Sequence, residues 1–138
     1  MSRRIVSTKL EAAGTAQQID TFSDRLIKYI PADIVSAWVA AKGLVESSAI
    51  SSKQVVLWVC FGVGVVLTAL WTLKQTAMPG KKPAVTQTII VTGAFIVWTI
   101  ALGEPFSTLL GSTEQALYGS LLLIFYTLLV GLIVPKEG

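Results

Sequence analysis

The sequence predicts an all-α integral membrane protein: a small bundle of four transmembrane helices with an amphipathic helix near its N-terminus. Two observations lead to this fold class. Of the 138 residues, 53% are hydrophobic and only 14% are charged, against roughly 25% charged residues in a typical soluble domain. The apolar residues also form long runs, and the charges lie between the runs. Three spanning helices plus one interfacial helix are the alternative.

Three of the apolar runs are long enough to cross a membrane. They cover residues 54–73, 84–103 and 116–134. A helix of about 20 residues is about 30 Å long, which matches the hydrocarbon thickness of a bilayer. Trp58 and Trp71 stand near the two ends of the first run, where membrane proteins place interfacial tryptophans. Each of these runs therefore predicts a transmembrane helix.

Residues 30–47 form a shorter apolar stretch that carries Asp33 and Lys42. Pro31 is suited to the first position of a helix, which places Asp33 in the first turn, where a carboxylate complements the helix dipole. Lys42 lies near the other end and has Glu46 four residues further on as an ion-pair partner. Both charges can therefore stay near the ends of a helix that crosses the membrane.

The distribution of basic residues favours such a crossing. The Lys74–Lys82 connector is the most basic loop, so the positive-inside rule places it in the cytoplasm. The acidic Glu104–Glu114 connector then lies outside, and the tail 135–138 lies inside. Only if 30–47 also spans does the basic N-terminal region join the cytoplasmic side. We therefore expect both termini in the cytoplasm and the inner membrane of a bacterium as the location.

Residues 1–29 predict a cytoplasmic tail followed by an amphipathic interfacial helix, whose pattern begins at Thr15. Four apolar residues recur at helical spacing on one face: Ile19, Phe22, Leu26 and Ile30. Such a face packs on the membrane surface or on a neighbouring subunit. A helix that covers the protein's own loops is an equally open alternative.

The candidate pore or ion-interacting residues are Asp33, Lys42, Thr88, Thr92 and Thr99. A ring of Asp33 carboxylates, one from each copy, would favour cations at a cytoplasmic pore mouth. The three threonines lie close to one helix face, as a water-lined path would require. The structural alternative is a helix-start carboxylate at Asp33 and threonine hydroxyls that bond to their own backbone four residues earlier.

Several small or apolar residues are candidates for contacts between helices of different copies. They are Ile19, Phe22, Leu26, Gly62, Gly64, Ser120, Thr127 and Gly131. Small residues let helices approach each other closely in a membrane. Because a bundle of this size has little interior of its own, we expect these faces to serve a homo-oligomer.

The composition also argues against several function classes. Histidine is absent, and the one cysteine, Cys60, lies inside an apolar run. We therefore expect no catalytic site, no metal site and no cofactor. A net charge of +3 without a basic stripe argues against nucleic acid. The expected partners are the lipid bilayer and further copies of the chain.

Three function classes remain open. The first is a homo-oligomeric pore that conducts ions, supported by Asp33 and the threonines. The second is a membrane anchor or scaffold, whose N-terminal region docks a cytosolic protein. The third, a small exporter, would want a carboxylate deeper in the membrane than Asp33. The sequence favours the pore, with the scaffold as the alternative.

Overall fold

A computed structural model describes residues 3–6, 11–12, 15–16 and 21–136. Two short strands come first, β1 (Glu11–Ala12) and β2 (Thr15–Ala16), and they pair antiparallel. Six helices follow: α1 (Phe22–Tyr29), α2 (Ala32–Ser47), α3 (Lys53–Thr76), α4 (Val85–Leu102), α5 (Ser107–Leu110) and α6 (Ser112–Gly131). The predicted helical fold class is confirmed, since every longer element of these residues is an α-helix.

Within the described part of the chain, three helices are long and apolar enough to cross a membrane: α3, α4 and α6. They correspond to the three runs that the sequence predicts as spans. The helix α2 has 16 residues, which gives a length of about 24 Å. It packs on α3 and on α4, so it lies beside the long helices and not apart from them.

The helix α4 is the centre of the fold. It contacts α3, α6, α2 and α1, whereas no extended contact joins α3 to α6. Accordingly, 44% of the apolar segment of α4 is buried inside the protein, against 17% for α3 and 22% for α6. The outward faces of α3 and α6 carry many exposed large apolar side chains. The molecule is therefore built around one helix, with apolar surfaces on its flanks.

Two glycines bring α6 and α4 close together. A Cβ placed on Gly119 would lie 2.9 Å from the Cα of Ala101 and 3.0 Å from the carbonyl oxygen of Ile100. About two turns further along α6, the phenol of Tyr126 covers Gly93 and donates a hydrogen bond of 2.6 Å to the carbonyl of Ile90. Backbone contact of this kind is possible only where a side chain is missing.

An aromatic cluster fixes α2 on the other side of α4. Trp38 meets Phe61 of α3 and Phe95 of α4 edge to face, with ring centroids 6.4 and 6.1 Å apart. The rings of Phe61 and Phe95 are stacked, with centroids 6.1 Å apart. Gly64 makes room for Phe95, because a Cβ there would lie 2.7 Å from the ring. Aromatic pairs at these distances attract each other beyond their buried area.

Helix α1 begins later than its sequence pattern predicts. Thr15 belongs to β2, and the helix begins at Phe22. Thr21 and Asp24 form a capping box: the Asp24 carboxylate accepts from the Thr21 amide at 2.9 Å, and the Thr21 hydroxyl accepts from the Asp24 amide at 3.3 Å. The hydrogen bond from the Thr21 backbone lowers the pKa of the Asp24 carboxyl. This local cap, and not the apolar periodicity, therefore determines where α1 begins.

The last helix is shifted relative to its predicted range of 116–134. It begins at Ser112, after Gly111 at a φ of 82°, and ends at Gly131. Its end is fixed from outside, because side chains of α1 bond to the carbonyls of Gly131 and Ile133. At α2, Asp33 is in the first turn as predicted, whereas Pro31 is the N-cap residue before the helix and not its first residue.

The glycine contacts lead to a test of the α4–α6 packing. Gly119→Ala should lower the unfolding temperature, because the new methyl group collides with backbone that cannot move aside; such overpacking costs about 1–3 kcal/mol. The measurement is thermal unfolding in detergent. Gly62→Ala is the matched control: a Cβ there has nothing within 4 Å, so helix propensity should leave it neutral or slightly more stable. Equal melting temperatures for both variants would contradict this packing.

Candidate functional site at the basic end of the helices

The extended residues 3–6 dock at one end of the helices through Gln87. The Gln87 side-chain oxygen accepts a hydrogen bond of 2.9 Å from the Ile5 amide, and its nitrogen donates one of 2.8 Å to the Arg3 carbonyl. This pair of bonds copies the way in which a β-strand binds its neighbour. Gln87 is only 1% exposed, so the bonds are shielded from competing solvent. We call residues 3–6 and the groups that hold them the N-terminal clasp.

An apolar anchor adds to the clasp. The Ile5 side chain is 1% exposed and belongs to a buried cluster with Tyr29, Ile90, Val91 and Val130. These residues come from α1, α4 and α6. Burying one such aliphatic side chain contributes about 1.5–3 kcal/mol. The clasp therefore joins the N-terminus to three helices at once.

Asp33, the predicted pore residue, is part of the same arrangement. Its carboxylate accepts from the Arg3 guanidinium at 2.8 Å and from the Trp71 indole at 2.5 Å. Arg3 also donates to the Ile30 carbonyl. Asp33 is therefore bound on both oxygens by groups of its own chain, which link residue 3 to α2 and α3.

Cationic side chains cover the carboxyl ends of the long helices. Arg4 donates to the Thr76 carbonyl at the end of α3, at 3.3 Å. Arg25 donates to the Gly131 carbonyl at the end of α6, at 3.3 and 3.2 Å. At the opposite end of the molecule, Lys42 donates to the Leu102 carbonyl at the end of α4, at 3.0 Å. A cation in this position bonds to an otherwise free carbonyl and complements the helix dipole.

Lys42 also forms the ion pair that its spacing predicts. Its ammonium lies 3.7 Å from the Glu46 carboxylate. At this end α2 also meets the start of α3, since Lys53 donates to the Glu46 carbonyl at 2.8 Å. Of the two predicted charged candidates, Lys42 thus marks one end of α2 and Asp33 the other.

The charges of the described residues are distributed unevenly between the two ends. The clasp, the α3–α4 loop and residues 132–136 share one end, which we call the basic end. All described lysines and arginines except Lys42 and Lys53 lie there, namely Arg3, Arg4, Arg25, Lys28, Lys74, Lys81, Lys82 and Lys136. Apart from Arg4, which is buried, these side chains are partly or fully exposed, so this end presents a cationic surface.

The threonines of α4 use their hydroxyls inside their own helix. Thr88, Thr92 and Thr99 donate to the carbonyls four residues earlier at 2.7, 2.8 and 2.8 Å. Thr88 is 7% and Thr99 only 1% exposed, and both face the packed interior of the single chain. The structure thus shows, for these three hydroxyls, the hydrogen bonding of the structural alternative.

The predicted interface residues separate into two groups. Phe22 and Leu26 pack on Gly131 of the same chain, and Gly64 packs on Phe95. Gly62 and Ser120 instead lie on the outward faces of α3 and α6, and Thr127 is half-buried on α6. Ile19 lies outside the described residues. The amphipathic helix α1 therefore places part of its apolar face on its own chain.

The clasp residues are the part of the site that the sequence pattern missed. Gln87 does indicate that something binds at this position, since a lone amide in the first turn of an apolar span needs buried hydrogen-bond partners. Its partners are backbone groups 82 and 84 residues away in the chain, and no local pattern identifies them. Among the described residues, no group of His, Cys, Asp or Glu could hold a metal ion.

Comparison of the chain with protein-family models, with characterised proteins and with solved structures returns no match.

The clasp can be tested by proteolysis. Gln87→Leu removes both bonds to residues 3–6, so trypsin should cut the Arg4–Ile5 bond faster by about fivefold or more, because losing two buried hydrogen bonds costs about 1–3 kcal/mol. Mass spectrometry of the cleavage products gives the rate. Gln54→Leu is the matched control: Gln54 bonds to Pro105 and Thr108 at the opposite end, and cutting there should not change. An unaltered rate in Gln87→Leu would mean that the clasp is not held by this amide.

Proposed function

We propose that the chain is a multi-pass membrane protein that acts as an anchor or scaffold for a cytosolic partner. In this proposal α2, α3, α4 and α6 cross the membrane, and both termini face the cytoplasm of a bacterial cell. The observation that carries it is the N-terminal clasp. It fixes residues 3–6 to the end of the helices, so a protein bound there would be held in place relative to the helices.

The contacts of α2 support four crossings. Its first turn meets Trp71, near the carboxyl end of α3, through Asp33. Its last turn meets Lys53, at the start of α3, through the Glu46 carbonyl. The helix thus runs antiparallel to α3 over the same depth, and its charged residues bond near the two ends. A charge in that position avoids the cost of about 2.5–3.5 kcal/mol at the centre of a bilayer.

The use of polar groups supports an anchor over a pore. The Thr68 and Thr76 hydroxyls of α3 bond to carbonyls four residues earlier, as those of α4 do. The outward surfaces of α3 and α6 are rich in exposed valine, leucine and phenylalanine. Such surfaces suit lipid tails or helices of further copies. Gly62 and Ser120 on these faces allow close approach of a second copy, which supports a homo-oligomer.

The pore is the rival proposal, and Asp33 is what favours it. The side chain is 39% exposed, so copies that meet at this end would bring several carboxylates together. Each carboxylate is, however, already paired with Arg3 of its own chain. The net charge at a pore mouth would then come from the surrounding lysines and arginines, which repel cations.

Topology tests the proposed membrane arrangement. Reporter fusions at Ser2, Ser48, Met78, Ser112 and the C-terminus should read inside, outside, inside, outside, inside, because the basic end then faces the cytoplasm. The measurement is the activity of a paired periplasmic and cytoplasmic reporter at each site. An outside result at Ser2 would reduce the spans to three and move α2 to the interface.

Conductance separates the anchor from the pore. Purified oligomer in planar bilayers should give no single-channel activity, for the wild type and for Asp33→Asn alike. The variant should still assemble, because a partly exposed ion pair contributes at most about 1 kcal/mol; size-exclusion chromatography in detergent provides that control. Cation-selective currents in the wild type that lose selectivity in Asp33→Asn would overturn the anchor in favour of the pore.

A further inference from the structure

A continuous apolar groove runs between α2 and α3 on the surface of the molecule. It consists of two cavities of about 270 and 220 Å³ that share Ile34 and Leu67 in their walls. The deeper cavity reaches Ala41 and Cys60, and the shallower one ends at Trp71 and Lys74. For comparison, an apolar cavity of about 150 Å³ already accepts benzene. The groove is therefore large enough to hold a chain of several carbon atoms.

The groove is somewhat longer than one leaflet. Lys74 at its shallow end and Val59, which lines the deeper cavity, are fifteen positions apart on α3, or about 22 Å along the helix. The hydrocarbon of one leaflet is about 15 Å thick, half of the bilayer core. The groove thus begins at the headgroup level of the basic end and continues past the membrane centre.

The shallow end of the groove carries an uncompensated cation. The Lys74 side chain is exposed, and it forms no ion pair or side-chain hydrogen bond with the residues that the structure describes. The Trp71 indole beside it is 41% exposed, as is usual for a tryptophan at a membrane interface. A long apolar groove with a free ammonium at its interfacial end matches an amphiphile with an anionic head.

We propose that this groove binds one acyl chain of an anionic phospholipid from the cytoplasmic leaflet, with the lipid phosphate on Lys74. The inference rests on the proposed membrane embedding. A helix of a second copy does not fit, because a helix is about 10–12 Å wide and α2 and α3 already touch through Trp38 and Phe61. A single acyl chain fills the groove without separating α2 from α3.

The headgroup contact is tested by native mass spectrometry of delipidated protein titrated with phosphatidylglycerol or phosphatidylcholine. Phosphatidylglycerol should bind more tightly, and Lys74→Gln should weaken its binding about fivefold, as expected for one lysine at an anionic lipid. Phosphatidylcholine binding should change less. Lys82→Gln is the matched control, since Lys82 lies at the same end but does not line the groove. Equal losses in the two variants would overturn Lys74 as the phosphate site.

The acyl-chain contact is tested with phosphatidylglycerol that carries a diazirine in the middle of one chain. Crosslinks should map to the groove walls on α2 and α3. Ala41→Phe should reduce them severalfold by filling the groove, whereas Ala40→Phe, on a neighbouring residue that does not line it, should not. Crosslinks spread evenly over the outward faces of α3 and α6 would overturn the site.

Alkaline carbonate extraction of membranes that contain the protein distinguishes a failure of the proposed membrane embedding from a failure of the lipid site alone. Protein released by carbonate contradicts the membrane embedding and with it the proposed function. Protein that stays in the membrane but shows neither lipid preference nor groove crosslinks contradicts the lipid site alone.

Discussion

The backbone carbonyls at the carboxyl end of each long helix have no partner within their own helix, and the rest of this structure depends on how they are satisfied. A guanidinium or ammonium group reaches each of the three ends: Arg4 at α3, Arg25 at α6 and Lys42 at α4. Each of these cations comes from a different segment of the chain. Satisfying the helix ends therefore also ties residues 3–6, α1 and α2 to the long helices.

The contacts at the helix ends also determine how residues 3–6 dock and where α6 ends. With Arg4 directed at α3, the neighbouring backbone of residues 3–6 meets the Gln87 amide on α4. With Arg25 bonded to Gly131 at the end of α6 and Tyr29 bonded to Ile133 just beyond it, that helix stops at Gly131 although apolar residues continue to Val134. Arg4 and Arg25 also belong to the basic end. Part of the charge asymmetry that predicts topology thus also satisfies helix ends.

Much of the fold could be predicted from the sequence because it is encoded locally. Length and hydropathy define α3 and α4 to within a few residues, and Pro31 with Asp33 defines the start of α2. The start of α1 could not be derived from periodicity, because the Thr21–Asp24 cap decides it. The clasp could not be predicted at all, since Gln87 and Ile5 are 82 residues apart. The threonines of α4 show a similar limit: a polar stripe has the same spacing whether it faces water or its own backbone.

The proposed function follows from where the polar groups are used. A pore needs side chains whose hydrogen-bonding groups are free to replace the hydration of an ion. In this chain Asp33 bonds to Arg3 and Trp71. Hydroxyls on α3 and α4 bond to backbone, namely those of Thr68, Thr76, Thr88, Thr92 and Thr99. What faces outward along the helices is apolar, and what faces outward at one end is cationic. In the proposed anchor, these surfaces would keep the molecule in a membrane in one orientation, with residues 3–6 held at the basic end. An anchor needs these properties, and conduction does not follow from them.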